Sequence, residues 1–303
     1  VQQSKSAKTI TILIIVFLVM ALATSVTYLK KGGWASDKIR VVTTILPLAD
    51  FVRQVGKDMV DVTTMVAPGD SPHALQFAPS KLEMLSQADM YIKVGSNVDF
   101  ELALMDEFIA LNSTMHVVDC SQSVELLVAD GDDHDNNDHE GADPHIWLSL
   151  TNAKQMVQSI CDGLVAIDPD NADFYSQNKV DYSAQLDKLN DYIEQTLDGH
   201  ANRNLLIYHS SFGYFADEHS LTQHAIEVGG SETTAKTLAG SINLARQYNL
   251  DYVFVSPESE KDKDNANIIA GQIGGRLKEI DPLPADYISN MRSVADAIAQ
   301  ELE

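Results

Sequence analysis

Basic side chains are scarce in this chain. Its 303 residues hold 21 Lys and Arg against 44 Asp and Glu, a formal net charge of −23. Four of those cations, Lys5, Lys8, Lys30 and Lys31, fall within residues 1–31, which contain no acid, so residues 32–303 carry −27. A body of that sign repels phosphate backbones, which excludes nucleic acid as a partner. The acidity favours solubility and by itself names no substrate. Cysteine is almost missing: Cys120 and Cys161 lie far apart and form no CxxC pair. Cys161 falls on the apolar face Val157-Ile160-Cys161-Leu164, which marks it as a buried thiol, with a bridge to Cys120 as the alternative. Catalytic signatures are also missing: there is no H-E-x-x-H zinc helix and no G-x-S-x-G elbow. A calcium loop fails on spacing. Counted from Asp133, the sixth position is Asp138 where Gly is needed, and the twelfth is Pro144 where Glu is needed.

One long uncharged run is present. Residues 9–29 are rich in Ile, Leu and Val, with Lys5 and Lys8 before them and Lys30 and Lys31 after. The run approaches the ~20 residues that span a bilayer. It fits an export signal, either cleaved near Ala21-Leu22-Ala23 or retained as an N-terminal anchor, and no cysteine near its end offers a lipid attachment site. The acidic body is therefore expected outside the cytoplasm, at the cell surface or in a periplasm, with residues 1–31 as signal or anchor and 32–38 as a linker.

Beyond the linker, apolar and β-branched runs alternate with helical patterns. Strands are expected at residues 40–45, 62–66, 90–94 and 116–118, with helices near 48–57, 80–87 and 99–110 and a further helix over 151–167. Such alternation predicts a parallel sheet with crossover helices, here an N-terminal lobe over residues 39–167. Asp168-Pro169 supplies a helix start, and residues 171–197 then read as helix without a break. Tyr175, Tyr182, Leu186, Leu189, Ile193 and Leu197 share one face of it. Residues 168–199 thus form a connecting helix, with a coiled-coil partner as the alternative. Strands at 204–208, 222–226, 252–255 and 276–280, with helices near 212–219, 233–248, 262–273 and 286–301, make a second α/β lobe over 200–303.

Residues 131–142 hold His134 and His139 among carboxylates and glycines with almost no apolar side chain, so they form an acidic, solvated loop rather than core. The chain then turns apolar around one imidazole in Asp143-Pro144-His145-Ile146-Trp147-Leu148. Ligands of open α/β sheets bind beyond the carboxyl ends of strands. His73, His145, His209 and Asp281 fall at such positions, and three imidazoles with one carboxylate suit a tetrahedral zinc better than manganese, which prefers more oxygen. Each alone reads as an ordinary loop residue, and Asp281-Pro282 as a turn. Asp143 is assigned to shaping the turn before His145. His116, His200, His219 and His224 are assigned surface or structural roles.

Taken in order, Pro72-His73 with Pro79-Ser80, the acidic His loop, Asp143-Pro144-His145-Ile146-Trp147-Leu148, His209 with Phe212-Gly213-Tyr214-Phe215, and Ile280-Asp281-Pro282-Leu283 resemble the zinc/manganese class of ABC-transporter solute-binding proteins. The likeness is to the high-affinity zinc-uptake or adhesin-lipoprotein type of receptor and covers about residues 38–301. It implies two α/β lobes joined by a rigid backbone helix, with metal held in a cleft between them by His73, His145, His209 and Asp281. A histidine at the position of His209 is the zinc form, where many manganese receptors carry Glu. The resemblance further implies a monomeric receptor that hands metal to a membrane permease driven by a cytoplasmic ATPase. His134 and His139 would be an auxiliary metal-collecting arm. The chain departs from the family pattern at Ser256-Pro257-Glu258, where Glu-Pro is common, and Glu258 is not assigned as a ligand. Four protein ligands leave no open position for a catalytic water, so an enzyme is not expected. Manganese or iron as cargo, or an adhesion protein with a structural metal, are the rival readings. Histidine ligands bind metal only when neutral, so affinity should fall below about pH 6–6.5.

Overall fold

Four short strands built from β-branched and apolar residues form each of two parallel sheets in the computed structural model. It describes residues 34, 38–69, 76–128, 141–200, 203–227, 233–257 and 260–302. Residues Val1–Asp37 and Lys38–Glu303 are separate units, and of the first only Trp34 is described. The expected membrane segment, residues 9–29, lies outside the described residues, and among those described no helix is long and apolar enough to cross a bilayer.

The first sheet comprises β1 (Ile39–Thr43), β2 (Val60–Thr64), β3 (Met90–Lys93) and β4 (His116–Asp119), in the order β2-β1-β3-β4. Helices α1 (Leu46–Gly56), α2 (Pro79–Ser86), α3 (Asp99–Leu111) and α4 (Leu150–Ile167) belong to the same half of the unit. The second sheet repeats the pattern with β5 (Asn204–His209), β6 (Thr222–Glu227), β7 (Tyr252–Val255) and β8 (Arg276–Glu279), in the order β6-β5-β7-β8. With it go α6 (Gly213–Glu218), α7 (Ala235–Tyr248), α8 (Glu260–Ile273) and α9 (Tyr287–Glu301). In each sheet the chain leaves the first strand to one side and returns on the other, so β1/β3 and β5/β7 are switch points where crevices open at the carboxyl ends. The central strands are covered on both faces, which is why β7 reads Tyr-Val-Phe-Val and is buried throughout.

Between the halves runs α5 (Ala172–Leu197), 26 residues and about 40 Å long. All six residues of its expected apolar face are buried. They pack inside the same chain, against α1 and α4 on one side and α9 on the other, which removes the need for a coiled-coil partner. Polar anchors pin both ends of the contact. Asn178 Nδ2 donates to the Val55 carbonyl at 2.9 Å, and the Tyr192 hydroxyl donates to Asp296 at 2.5 Å beneath the Arg292 guanidinium. The helix start differs from expectation: Pro169–Asn171 form a separate 3-10 turn. The Asp168 carboxylate leaves the helix amides alone and accepts instead from the Tyr175 hydroxyl at 2.6 Å and Asn171 Nδ2 at 2.8 Å.

Other boundaries move by at most two residues. Pro47 and Pro79 sit in first turns, where a missing N–H costs nothing, and so start α1 and α2 slightly earlier than the apolar periodicity suggests. Met65 and Val66 continue pairing with the carbonyls of Thr43 and Thr44 past the end of β2. Cys120 and Cys161 are both buried and unbridged, so the thiol reading holds and the disulfide alternative does not.

Candidate metal centre

His145 opens a 3-10 turn, Ile146–Leu148, whose three side chains are all buried. Burying that apolar turn drives the preceding residues into a fixed path. The Asp143 carboxylate enforces it, since Oδ1 accepts both the His145 amide at 2.9 Å and its ring Nδ1 at 2.7 Å. Asp143 therefore shapes the turn, as expected, and also orients the imidazole. Neighbouring loops brace the segment: the Ser96 hydroxyl donates to the Pro144 carbonyl and Asn97 Nδ2 to the Ala142 carbonyl. Those loops are held in turn by the buried Glu101, which accepts from the Thr44 hydroxyl and the Val94 and Gly95 amides. Burial pushes the Glu101 carboxyl above its ordinary range, against the pull of those three donors.

His209 is the last residue of β5, at the second switch point. Its Nδ1 meets Glu227 Oε2 at 2.5 Å. The contact follows from sheet register, because His209 and Glu227 are paired positions at the ends of β5 and β6. Glu227 was not foreseen: it lies one residue past the expected strand, and only the parallel register brings it beside His209.

The two imidazoles, from different halves of the chain, come into contact with ring centroids 5.3 Å apart and planes at 79°. A carboxylate offers only lone pairs, so each Nδ1 is the N–H donor, and in the neutral ring the lone pair falls on Nε2. This is the arrangement that metal-binding histidines adopt, with the distal nitrogen aimed by a carboxylate on the proximal one.

Asp281 lies two residues past the end of β8, after Ile280, whose amide still pairs with the Val255 carbonyl. Its Oδ1 accepts the Leu283 amide at 2.7 Å and its carbonyl accepts Asn290 Nδ2 at 2.7 Å, so the residue is fixed in a tight turn. Trp147 Nε1 donates to the Pro282 carbonyl at 2.6 Å, which joins this turn to the one carrying His145. His73 lies outside the described residues, as do His134, His139 and Glu258. Among the described residues no group of three or more His, Cys, Asp or Glu is gathered closely enough to hold a metal ion. The structure thus brings His145 and His209 together and ties Asp281 to the same region through the backbone.

Two of the other histidines, His219 and His224, have structural partners. His219 is buried with its ring 4.6 Å from that of Phe215, and His224 stacks on Tyr248 and meets Asn204 through Nε2. The Phe212-Gly213-Tyr214-Phe215 segment has a more specific task. A Cβ on Gly213 would lie 2.5 Å from Asp143 Oδ2, so only glycine permits this approach of α6 to the carboxylate. The Tyr214 hydroxyl, its pKa pushed up to about 12 mainly by burial, donates to the Asp143 carbonyl and accepts the Leu127 amide.

Residues 41–301 match the family model for ZnuA, the periplasmic component A of the zinc-uptake complex. Over 286 residues the chain is 24% identical to the high-affinity zinc uptake system protein ZnuA of Bacillus subtilis (strain 168), covering 88% of each. Over 297 residues it is 27% identical to the manganese ABC transporter substrate-binding lipoprotein PsaA of Streptococcus anginosus, covering 90% of this chain and 92% of the relative. The crystal structure of a ZnuA superposes with a TM-score of 0.82 at 32% identity, covering 88% of this chain and 100% of that one. A zinc-bound ZnuA deletion mutant gives 0.80 at 33% identity, covering 88% and 98%. The chain belongs to the ZnuA family of metal-binding substrate-binding proteins of ABC transporters, whose members are receptors and not enzymes.

Proposed function

We propose that this chain is an extracytoplasmic zinc receptor, exported by residues 1–31, that captures the ion through His73, His145, His209 and Asp281. It then passes the ion, as a monomer, to a membrane permease powered by a cytoplasmic ATPase. The observation that carries this reading is the near-perpendicular meeting of His145 and His209 with a carboxylate behind each Nδ1. Nitrogen ligands pre-aimed in this way favour zinc, which takes imidazole readily and accepts a closed tetrahedral shell. His73 would complete the nitrogen set and Asp281 supply the one oxygen. Residues 131–142, with His134 and His139, would hold metal weakly and raise its concentration near His145.

Manganese is the competing cargo, favoured by the 27% identity to the manganese-named PsaA. The histidine count weighs against it, because manganese sites draw more of their ligands from oxygen. Replacing His209→Ala and measuring zinc against a competing chelator tests the assignment. Affinity should fall by orders of magnitude while the melting temperature of the metal-free protein stays within a few degrees. Unchanged zinc affinity would remove His209 from the site.

A further inference from the structure

His145 and Asp281 are 136 positions apart and lie outside the strands of either sheet, yet the turns that carry them are joined by a buried seam. Trp147 is 1% exposed and makes the join in both directions. Its indole N–H donates to the Pro282 carbonyl, and its own carbonyl accepts the Tyr287 hydroxyl, each at 2.6 Å. Tyr287 is fully buried at the start of α9. Its amide donates to Asp50 Oδ2 of α1 at 3.1 Å, and its ring meets Phe51 edge-on at 4.8 Å. The Asp281 turn is held at three consecutive points: the Asp281 carbonyl by Asn290, the Pro282 carbonyl by Trp147, and the Leu283 amide by the Asp281 carboxylate itself. Displacing Trp147 would therefore release the middle point of the turn whose first residue bears the carboxylate.

We propose that Trp147 and Tyr287 are positioning residues that set the separation of the His145 imidazole and the Asp281 carboxylate, and through it the preference for a small tetrahedral ion. This rests on the reading of His145 and Asp281 as ligands. Zinc in a closed protein site sits within about 0.2 Å of its usual ligand distances, so each of its four ligands must be placed closely. Manganese draws more of its ligands from oxygen, water included, so a smaller share of its shell depends on the separation of His145 and Asp281. Loosening the seam should thus cost zinc more than manganese, which general loss of folding would not do.

The test compares Trp147→Phe, Tyr287→Phe, Asp281→Ala and the Trp147→Phe/Asp281→Ala pair in the full chain. Zinc and manganese affinities are read by chelator competition, and the visible spectrum of the cobalt(II) form reports coordination. Trp147→Phe should weaken zinc about 10–100-fold, the usual cost of losing a ligand-orienting partner. Manganese should weaken less, and the cobalt bands should move toward those of Asp281→Ala. Once Asp281 is removed, Trp147→Phe should cost zinc nothing further. Tyr287→Phe deletes only the hydroxyl and should shift zinc the same way by a smaller factor. It carries the comparison if Trp147→Phe does not fold. Zinc affinities unchanged in both seam variants, or full additivity with Asp281→Ala, would overturn the proposal while leaving the ligand set standing. Wild-type zinc affinity in Asp281→Ala would instead overturn Asp281 as a ligand, and the seam's role with it.

Discussion

Asp143 and Glu227 each accept an imidazole Nδ1, at 2.7 and 2.5 Å. At the scale of single residues these two carboxylates fix which nitrogen of each ring carries a proton and how the ring is turned. Both are buried, Asp143 at 6% exposure and Glu227 at 9%. Glu227 lies at the end of β6, where it meets the His209 ring, so its replacement tests the orienting effect. Glu227→Gln keeps the side-chain shape but can present its amide N–H₂ to Nδ1, which favours the tautomer with the lone pair on the wrong nitrogen. Zinc affinity in that variant should fall about 10–100-fold. The measurement is chelator competition alongside thermal melting of the metal-free protein, and an unaltered affinity would mean that Glu227 is only a sheet-end residue. Gly213 belongs to the same level of detail, since any side chain there would meet the Asp143 carboxylate.

At the scale of elements, α5 determines how the two sheets are held. Leu186, near its middle, is fully buried on the face that meets α1, α4 and α9. Leu186→Ala should destabilise the protein by about 2–5 kcal/mol, the cost of lost burial plus a residual cavity. Denaturant titration would show it, and a change below 1 kcal/mol would mean that the helix is not a structural spine. A milder effect belongs to the junction of β1 and β3. The Arg40 guanidinium grips Asp89 at 2.6 and 2.9 Å, and the Arg40 amide adds a third donor at 2.8 Å. The side-chain hydrogen bonds from Arg40 hold the Asp89 carboxyl below its usual range, with burial opposing them. A carboxyl depressed in the folded state contributes stability above its unfolded pKa of about 3.9, and loses it as pH falls through the lower folded value. Because the two side chains are 35% and 37% exposed, solvent screening limits the pair to less than about 1 kcal/mol. The melting-temperature gap between wild type and Asp89→Asn should be present at neutral pH and close below about pH 4. A gap independent of pH would assign the effect to packing.

These elements were legible in the sequence because burial imposes a period that local composition displays. The six apolar positions of α5 recur at helical spacing, and the strands of covered parallel sheets read as short apolar runs. His145 and His209 could be singled out because strand ends in such sheets face the crevice. What could not be read was pairing across the fold. Glu227 reaches His209 only through the β5–β6 register, and Trp147 reaches Pro282 across 135 positions. Neither leaves a trace in local spacing. The Pro169–Asn171 turn escaped for a different reason: Asp168 had two competing uses, and the Tyr175 hydroxyl took the carboxylate that a helix start would otherwise claim.

At the scale of the whole molecule, residues 38–303 form one unit in which both sheets share α5 and several direct bonds between halves. The seam at Trp147 and Tyr287 is one such connection. Another is the Glu218 carboxylate, which accepts the Leu150 and Thr151 amides at the start of α4. With His145 and Asp281 as the proposed ligands, these contacts hold their turns in place within the metal-free chain, which would limit the ordering cost of binding. The −27 charge on residues 32–303 would draw divalent cations toward any site on the body without choosing among them. On the proposed ligand set, selectivity would come from the geometry around His145 and His209. The most direct test is a competition between zinc and manganese on the chelator-stripped full chain, with and without residues 132–140, counting tightly held equivalents. The account predicts one tight zinc that survives removal of the loop, with manganese at least about a hundredfold weaker. Loss of all tight binding with the loop, or manganese held as tightly as zinc, would contradict it.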